Sequence, residues 1–205
     1  MPASPNNIQL LDHHAGDAFV GAVLHDQIVE AHVEQWYATW RPIYDEIRST
    51  KPRKEWPESA HWDWSQKLAK SAGYAAYRRF AVQCDGQLQG MMQALIEHPR
   101  YSALDPAADG KPLVYVDYLE TAPWNQAWHP KKRFGGVGTV LLMEAVELSE
   151  SEDFGGRVGL HSLPSSEVFY RKAGMHDFGA DKRHSQQLRY FEFTVDSLSK
   201  LSTEE

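Results

Sequence analysis

The stretch 133–148 constrains the fold of this chain more than any other part of its sequence. It reads R-F-G-G-V-G-T-V-L-L-M-E-A-V-E-L and follows the apolar run 113–121. Gly135, Gly136 and Gly138 precede apolar residues at helical spacing, so the pattern predicts a glycine loop that leads into a helix. Glycines let a ligand approach the backbone closely, and the first N–H groups of a helix lack helical acceptors. Such a loop is a suitable site for a diphosphate.

The same glycines are also compatible with a simple tight turn. Two common phosphate-binding patterns are absent, because no Lys follows Gly138 and the chain has no G-x-G-x-x-G run at this place. The sequence therefore argues against a P-loop nucleotide-binding protein and against a dinucleotide-binding domain.

Length and composition favour one globular domain over residues 1–205. With 42% hydrophobic residues the chain has enough apolar side chains for a full core. The single cysteine excludes an internal disulfide, no apolar run reaches the length of a membrane span, and the N-terminus does not resemble a signal peptide. We therefore expect a cytoplasmic monomer or homodimer without a membrane partner. The net charge of −7 argues against nucleic acid as a partner.

The order of predicted elements indicates an α/β (α+β) fold. In residues 1–73 the apolar spacing predicts a short strand at 8–11 and then helices, one running from Asp17 to Pro42. A hairpin over 74–83 and 87–97 follows, joined by Cys84-Asp85-Gly86, because Asp-Gly between β-biased runs is a strong hairpin signal. The later elements are strands at 113–122 and 157–163, a helix that starts at Ser165, and closing strands at 175–179 and 187–195. A mixed sheet with one βαβ crossover accommodates this order.

Two histidines in the N-terminal part are candidate metal ligands by residue type. His25 and His32 lie seven residues apart in the predicted helix, whereas metal ligation favours a spacing of four and a further ligand. We interpret them as surface or packing residues and predict no metal site.

Taken together, these motifs resemble those of the GNAT superfamily of N-acetyltransferases. Its acetyl-CoA motif, [RQ]-x-x-G-x-[GA] between a strand and a helix, is matched by Arg133, Gly136 and Gly138. A second family pattern, F-Y-x-K-x-G-F at the end of a helix, is matched by F-Y-R-K-A-G-M at 169–175. The resemblance covers residues 74–195. It implies a mostly antiparallel GNAT-like sheet flanked by helices, with residues 1–73 as a variable helical elaboration.

The resemblance also implies a set of residues that bind acetyl-CoA as the co-substrate. Backbone groups of Leu119, Glu120 and Thr121 would bind the pantetheine arm. Tyr170 would stand near the CoA sulfur as a general acid; its other interpretation is a core tyrosine. The diphosphate would lie at the loop that follows Arg133, on N–H groups of Phe134, Gly135, Gly136, Val137, Gly138 and Thr139.

Transfer to an amine requires a base, because the attacking nitrogen must lose its proton. Strand alternation places Tyr115, Asp117 and Leu119 on one face and Glu120 on the other. The family tends to place its base two or four residues before the position of Leu119, which indicates Asp117. Glu120 and His161 are second choices. The alternative is that Asp117 is structural and that the proton leaves through water.

Two departures from the family pattern affect what can be transferred. The segment Trp124 to Lys132 makes the loop before Gly136 longer than usual, either as a lid or as an anchored loop. Leu163 stands where the family often has an asparagine.

Aromatic residues at helical spacing are more often core residues than pocket residues. This interpretation applies to Trp36, Trp40, Trp56, Trp62, Trp124 and Trp128.

The sequence thus favours an N-acetyltransferase that moves an acetyl group from acetyl-CoA to a primary amine of a small molecule or peptide by direct attack. Asp117, directly or through water, would be the base and Tyr170 the acid. The alternative is a non-catalytic acyl-CoA-binding or protein-interaction module on the same fold. The identity of the acceptor is open.

Overall fold

The computed structural model describes residues 6–98 and 101–201, and its first elements are two paired strands. Strand β1 (Asn6–Asp12) pairs antiparallel with β2 (Ala18–His25). The strand predicted at 8–11 is therefore confirmed.

The helix predicted from Asp17 is wrong over β2. Ala22 and Leu24 are buried while Val23 between them is partly exposed, which is the alternation of a strand. Gly16 and Asp17 have φ values of +72° and +60° and turn the chain before β2. Over so short a window the apolar residues fit the helical period as well as the strand period, so spacing alone did not decide between them.

A helical run begins after β2 and changes its winding once. Helix α1 (Glu30–Gln35) continues through one π-helical segment (Trp36–Trp40) into α2 (Arg41–Thr50). Pro42 explains the wider turn, because proline has no N–H and its ring clashes with the carbonyl four residues earlier in a regular helix.

A third helix, α3 (Trp64–Lys70), packs into the same apolar core. Asp63 caps its first turn, since its carboxylate accepts the N–H of Gln66 at 3.1 Å. The largest buried side chains of this core are those of Trp36, Trp40, Tyr44, Trp64, Leu88 and Met91.

The predicted hairpin consists of β3 (Tyr77–Cys84) and β4 (Gln87–Leu95). Asp85 and Gly86 join the strands with φ values of +51° and +70°. Positive φ at both positions is the geometry of a type I′ turn, which explains why Asp-Gly predicted this hairpin correctly.

The predicted crossover is also present. Strand β5 (Val114–Thr121) leads through the short strand β6 (Phe134–Gly135) into α4 (Val137–Ser151), and β7 (Val158–Ser162) follows. Strands β5 and β7 are parallel. Helix α4 is thus the helix of a βαβ unit.

The C-terminal part contains a helix and a strand pair. Helix α5 (Glu167–Lys172) is followed by β8 (His176–Ala180) and β9 (Arg189–Glu192), which pair antiparallel as predicted. The predicted N-cap Ser165 lies instead inside a single 3-10 turn that Pro164 opens before α5.

The strands form a nine-stranded, mostly antiparallel sheet in the order β6-β1-β2-β3-β4-β5-β7-β9-β8, with helices beside it. The predicted fold class is therefore confirmed. The chain divides into two compact units: residues up to 92 with 118–141, and 93–117 with 142 onward. The last described helix of the second unit is α6 (Val195–Leu201). Within the described ranges, no helix is long and apolar enough to cross a membrane.

Candidate active site

The three glycines of the loop have different structural roles. Gly136 is exposed immediately before α4 and has a φ of +88°, a left-handed conformation that suits glycine. A Cβ on Gly135 would lie 3.2 Å from Nε2 of His13 and 3.4 Å from Cβ of Leu11, so glycine here permits the close approach of β1. Gly138 belongs to the first turn of α4.

The N-terminus of α4 has backbone N–H groups that lie before the first helical hydrogen bond. The first helical hydrogen bond runs from the N–H of Val140 to the carbonyl of Gly136 at 2.9 Å. The N–H groups of Val137, Gly138 and Thr139 precede this bond and therefore lie before the helical ladder. Thr139 is exposed and Gly138 partly so. Backbone N–H groups at the positive end of a helix of 15 residues attract an anion.

The two residues that begin the glycine motif already have protein partners. The N–H of Phe134 donates to Oδ1 of Asn125 at 2.9 Å, so the N–H groups open to a diphosphate begin after it. The guanidinium of Arg133 lies 4.0 Å from Asp12 and 3.7 Å from Asp85. Its side chain therefore contacts carboxylates of β1 and of the β3–β4 turn.

The long loop before the glycines is held at both ends. Trp124 Nε1 and Asn125 Nδ2 each donate to Oε1 of Gln89 at 2.9 Å, and the N–H of Arg133 donates to the carbonyl of Trp124. These contacts favour the anchored loop over the lid. A cavity of about 370 Å³ lies beside Trp124 and Arg133 and is also lined by Leu88.

Strand β5 is paired with β7 over only part of its length. The register joins Val114, Tyr115 and Val116 to β7. Among the described residues, pairing with β7 ends there, so the backbone of 119–121 is not part of that ladder. An unpaired strand edge can hydrogen-bond an extended ligand.

Glu120 is the most buried carboxylate on β5, with 3% of its surface exposed. It accepts hydrogen bonds from the hydroxyl of Tyr44 at 3.0 Å and from Nε1 of Trp64 at 2.6 Å. Gln126 Nε2 in turn donates to the Tyr44 hydroxyl at 2.8 Å. Burial raises the pKa of Glu120, against the hydrogen bonds from Trp64, Ser59 and Tyr44. We call these five residues the Glu120 cluster.

The predicted alternation of β5 is visible beside this cluster. Tyr118 and Glu120 both contact Trp64, through rings 6.5 Å apart and through the hydrogen bond described above. The ring of Tyr118 also lies 5.3 Å from that of Trp62. Nζ of Lys67 lies 3.0 Å from the Tyr118 ring centroid and 4.1 Å from the Trp62 centroid.

The other two predicted catalytic residues lie in the second unit. Asp117 is half-buried and accepts a hydrogen bond from Nε2 of Gln93 at 3.3 Å. Tyr170 is buried on α5 with its ring 5.8 Å from that of Phe191. Burial raises the pKa of Tyr170, so its hydroxyl carries a proton near neutral pH but gives it up less readily than that of a free tyrosine.

His161 lies between a tyrosine and a carboxylate. Its Nδ1 is 2.8 Å from the Tyr115 hydroxyl and its Nε2 is 3.3 Å from Oδ2 of Asp181. Burial, and then the neighbouring His184, lowers the pKa of His161 to about 4. Hydrogen bonds from Arg183 lower the pKa of Asp181 to about 2. At neutral pH we therefore assign a neutral imidazole beside an ionised carboxylate, with Nε2 as the protonated nitrogen.

Sequence reasoning missed the partners of these groups. Tyr44 and Trp64 lie 76 and 56 residues from Glu120, and Asp181 lies 20 residues from His161. No local periodicity connects positions so far apart. Over the described residues, no group of three or more His, Cys, Asp or Glu side chains is placed to hold a metal ion.

Comparison with known proteins supports the fold. No protein-family model matches the chain, and no curated protein sequence matches it. Solved structures do match. The GNAT domain of S. lividans PAT superimposes with a TM-score of 0.57 over 92% of this chain and 96% of that domain, at 14% sequence identity. The chain has the GNAT fold.

Two further solved structures extend the GNAT comparison. PaiA N-acetyltransferase from Thermoplasma acidophilum, in complex with coenzyme A, gives a TM-score of 0.54 at 13% identity over 84% of this chain and 98% of its own. Aminoglycoside acetyltransferase AAC(6')-Ib, in complex with coenzyme A and kanamycin, gives a TM-score of 0.54 at 16% identity. The match covers 87% of this chain and 98% of the aminoglycoside acetyltransferase chain. At such low identity these likenesses establish the fold, and the GNAT resemblance of the sequence is confirmed at that level.

Proposed function

We propose that this chain is an N-acetyltransferase that moves an acetyl group from acetyl-CoA to a primary amine. The observation that carries the proposal is the open N-terminus of α4, where the N–H groups of Val137, Gly138 and Thr139 follow the left-handed Gly136. These groups would bind the diphosphate of CoA. Two GNAT-fold structures that match the chain contain coenzyme A, and one of them contains the amine kanamycin.

The pantetheine arm would extend along β5. Leu119, Glu120 and Thr121 lie beyond the stretch of β5 that pairs with β7, which leaves that edge for a ligand. The carbonyl of Thr121 already accepts from Gln126 Nε2 at 2.8 Å, so that carbonyl is shared or unavailable. We therefore expect the main contacts from Leu119 and Glu120.

The proton transfers are assigned to two residues. Bound acetyl-CoA supplies a thioester carbonyl that the acceptor nitrogen attacks, so that a C–N bond forms and the C–S bond breaks. Asp117, directly or through water, would take the proton of the acceptor nitrogen. Tyr170 would donate its hydroxyl proton to the departing sulfur. The half-buried position of Asp117 supports its role. Tyr170 has a hydroxyl proton to donate, although its raised pKa makes it a weaker acid than a free tyrosine.

Glu120 and His161 are weaker candidates for the base. The Glu120 carboxylate is almost fully buried and already accepts hydrogen bonds from Tyr44 and Trp64. Both ring nitrogens of His161 already have protein partners, because Nδ1 lies 2.8 Å from the Tyr115 hydroxyl and Nε2 lies 3.3 Å from Asp181. We therefore retain Asp117 as the proposed base.

Calorimetric titration with acetyl-CoA tests whether the N-terminus of α4 binds the diphosphate of this co-substrate. Gly138→Val adds a branched side chain to the first turn of α4, and we expect acetyl-CoA to bind roughly tenfold more weakly or worse by calorimetry. Gly21→Val is the matched control, because a Cβ at Gly21 meets nothing within 4 Å. Equal affinity in the Gly138 variant and the parent would show that the diphosphate binds elsewhere.

A turnover measurement distinguishes an acetyltransferase from a non-catalytic acyl-CoA-binding module. Release of free CoA is measured with a panel of primary amines in the same preparation that binds acetyl-CoA. Binding without turnover across the panel would support an acyl-CoA-binding module, and absence of binding would exclude both functions.

A further inference from the structure

The cavity beside the glycine loop has the size and lining of a site for one flat ring system. It measures about 370 Å³ and lies within the first unit. This volume is at the small end of the range for ligand pockets, so it suits a fragment of a larger molecule. The lining that the following argument uses consists of Gln35, Thr39, Gln87, Leu88, Trp124 and Arg133.

Trp124 supplies a fixed aromatic surface at this cavity. Its Nε1 donates to Oε1 of Gln89 at 2.9 Å, and its ring meets that of Trp40 edge to face at 6.5 Å. The side chain is half-buried, so part of the indole remains accessible. A ring that is already held in place loses little freedom when a flat ligand stacks on it.

Two polar side chains at the cavity have hydrogen-bonding groups in reserve. Asp85 and Asp12 lie 3.7 and 4.0 Å from the Arg133 guanidinium, which is beyond hydrogen-bonding distance, and the ring of Phe134 lies 4.6 Å from its central carbon. Among the described residues, neither this guanidinium nor the side-chain amide of Gln87 makes a hydrogen bond. Because two carboxylates already offset the charge of Arg133, the cavity favours a neutral planar group over another anion.

The irregular helix of the first unit forms a further wall. Thr39 lies in the π-helical segment, a kind of turn that is frequent at functional sites. Gln35 ends α1 and connects it to the β3–β4 turn, because its Nε2 donates to the carbonyl of Gly86 at 3.2 Å and its Oε1 accepts the N–H of Leu88 at 2.8 Å. Hydrogen bonds therefore hold the parts of the cavity wall together.

The cavity and the proposed diphosphate site are joined by the backbone. Arg133 precedes Gly136 by three residues, so their Cα atoms are at most about 10 Å apart. The N–H of Arg133 donates to the carbonyl of Trp124 at 2.9 Å, and its carbonyl accepts the N–H of His13 at 2.8 Å. In acetyl-CoA a single ribose separates the adenine from the diphosphate. A diphosphate at the N-terminus of α4 therefore leaves the adenine within reach of the cavity.

We propose that this cavity binds the adenine ring of acetyl-CoA, which stacks on Trp124 with Arg133 beside it and the Gln87 amide at its edge. The inference rests on the proposed function, because it takes the diphosphate to lie at the N-terminus of α4. Nucleobases stack on aromatic side chains and on guanidinium planes, and a glutamine amide matches the donor and acceptor on the adenine edge. The acyl donor of this protein is then a thioester that carries an adenosine, as opposed to one that ends in phosphopantetheine.

The first test removes the base from the ligand. Calorimetry compares acetyl-CoA with an analogue that keeps the thioester, the diphosphate and the ribose 3′-phosphate but carries hydrogen in place of adenine. From the usual strength of base stacking on an aromatic side chain, we expect the base-free analogue to bind roughly fivefold more weakly or worse. Equal affinities of the two ligands would overturn the inference while leaving the acetyltransferase function in place.

The second test removes the ring from the protein. Trp124→Leu should weaken acetyl-CoA binding roughly fivefold and leave the affinity for the base-free analogue within about twofold of the parent value. Trp124→Phe keeps a ring and should retain most of the affinity. Trp128→Leu is the matched control, because it removes an exposed indole of the same loop that does not line the cavity. If Trp124→Leu weakens the binding of both ligands equally, the ring acts on the loop and not on the base, and the inference is wrong.

Gln87→Ala replaces this variant should Trp124→Leu fail to fold, as judged by Tm. Gln87 is exposed, so its truncation leaves the core intact. We expect acetyl-CoA affinity to fall roughly threefold, with no change for the base-free analogue. If the ratio of the two affinities is the same in Gln87→Ala and in the parent, the adenine lies elsewhere.

These binding measurements separate the inference from the proposed function, since they need no turnover. A contribution of the base that requires Trp124, in a protein that acetylates no amine of the panel, would support the adenine pocket and reject the acetyltransferase. Amine-dependent release of CoA together with equal affinities for acetyl-CoA and the base-free analogue would reject the pocket alone. Absence of acetyl-CoA binding would reject both.

Discussion

Glu120 in the first unit and His161 in the second are both buried titratable groups among aromatic rings, and burial acts on them in opposite directions. It raises the pKa of the Glu120 carboxyl and lowers that of the His161 imidazole to about 4. In both cases the neutral form is favoured, because removal from water penalises charge of either sign. Burial therefore gives the two regions opposite dependences of stability on pH.

The partners of the two groups also differ. Glu120 accepts from the neutral donors Tyr44 and Trp64, which connect α2 and α3 to β5. His161 faces the ionised Asp181, whose charge favours the imidazolium, yet burial and His184 outweigh that attraction. A carboxylate beside a histidine is thus insufficient to make it a strong base when the site is dry.

The largest expected effect concerns His161. Its pKa is about 4 in the folded protein against 6.5 for the free group, so the unfolded chain binds the extra proton between these values. The stability from this residue is complete above pH 6.5 and is lost as the pH falls through 4, by roughly 2 to 3 kcal/mol. The free energy of unfolding in urea, measured from pH 4 to 7.5, should rise less steeply with pH in His161→Gln than in the parent. His14→Gln, at an exposed position, should match the parent. If the plots of unfolding free energy against pH are parallel for the parent and His161→Gln, the proposed difference in pH dependence between the two regions is refuted.

Tyr170 extends the comparison to a third buried group, because burial raises its pKa and thus also favours its neutral form. Tyr170→Phe retains the ring and its packing but removes the hydroxyl. If this hydroxyl protonates the CoA sulfur, kcat should fall by roughly 10²-fold or more, with acetyl-CoA affinity and Tm little changed. Phe169→Leu, on the same helix, controls for altered packing. An unchanged kcat would remove the acid role from Tyr170.

Glu120→Gln tests the structural side of the comparison. The amide places an NH2 group against the donors Trp64 or Tyr44, and we expect a loss of roughly 2 kcal/mol in the free energy of unfolding. Because the folded pKa of Glu120 is raised, its stabilising contribution is complete below the free value of 4.5 and declines as the pH rises through the folded pKa. The advantage of the parent over the variant should therefore shrink with rising pH. Glu46→Gln, at an exposed position of α2, should have little effect.

Asp117→Asn has the smallest expected effect and concerns activity. Loss of the base should lower kcat/KM roughly tenfold at pH 6, where the acceptor is protonated, and alkaline conditions should recover part of it. Unfolding free energies measured on the same variant show whether stability is affected. If the pH profile of kcat/KM for Asp117→Asn matches that of the parent, the base is Glu120, His161 or water. The difference in burial between Glu120 and Asp117 then does not determine which carboxylate acts as the base.

Local patterns predicted much of the fold. The Asp85-Gly86 turn, the glycine loop with α4, the β5–α4–β7 crossover and the closing strand pair all follow from residues close to one another in sequence. Positive φ at a turn and the start of a helix depend on a few neighbouring residues, so the sequence carries these signals directly. The GNAT resemblance rested on the same local motifs.

The N-terminal part shows where local pattern was insufficient. The apolar spacing of β2 fits a helix, but pairing with β1 and β3 makes this segment a strand. Backbone hydrogen bonds to the neighbouring strand β1 and to the distant strand β3, together with burial of alternate side chains, outweighed the helical period. His25 and His32, expected to lie in one helix, lie in different elements with their rings 5.0 Å apart.

The sequence by itself therefore determined the glycine loop, the crossover and the GNAT fold of this protein, because each depends on short-range backbone geometry. Only the tertiary structure decided which candidate side chains are buried and what they contact. Glu120 became the centre of a cluster with Tyr44 and Trp64, and Lys67 came to lie over Trp62 and Tyr118. The physical reason is that desolvation and hydrogen bonding depend on neighbours brought together by folding, and these neighbours are far apart along the chain.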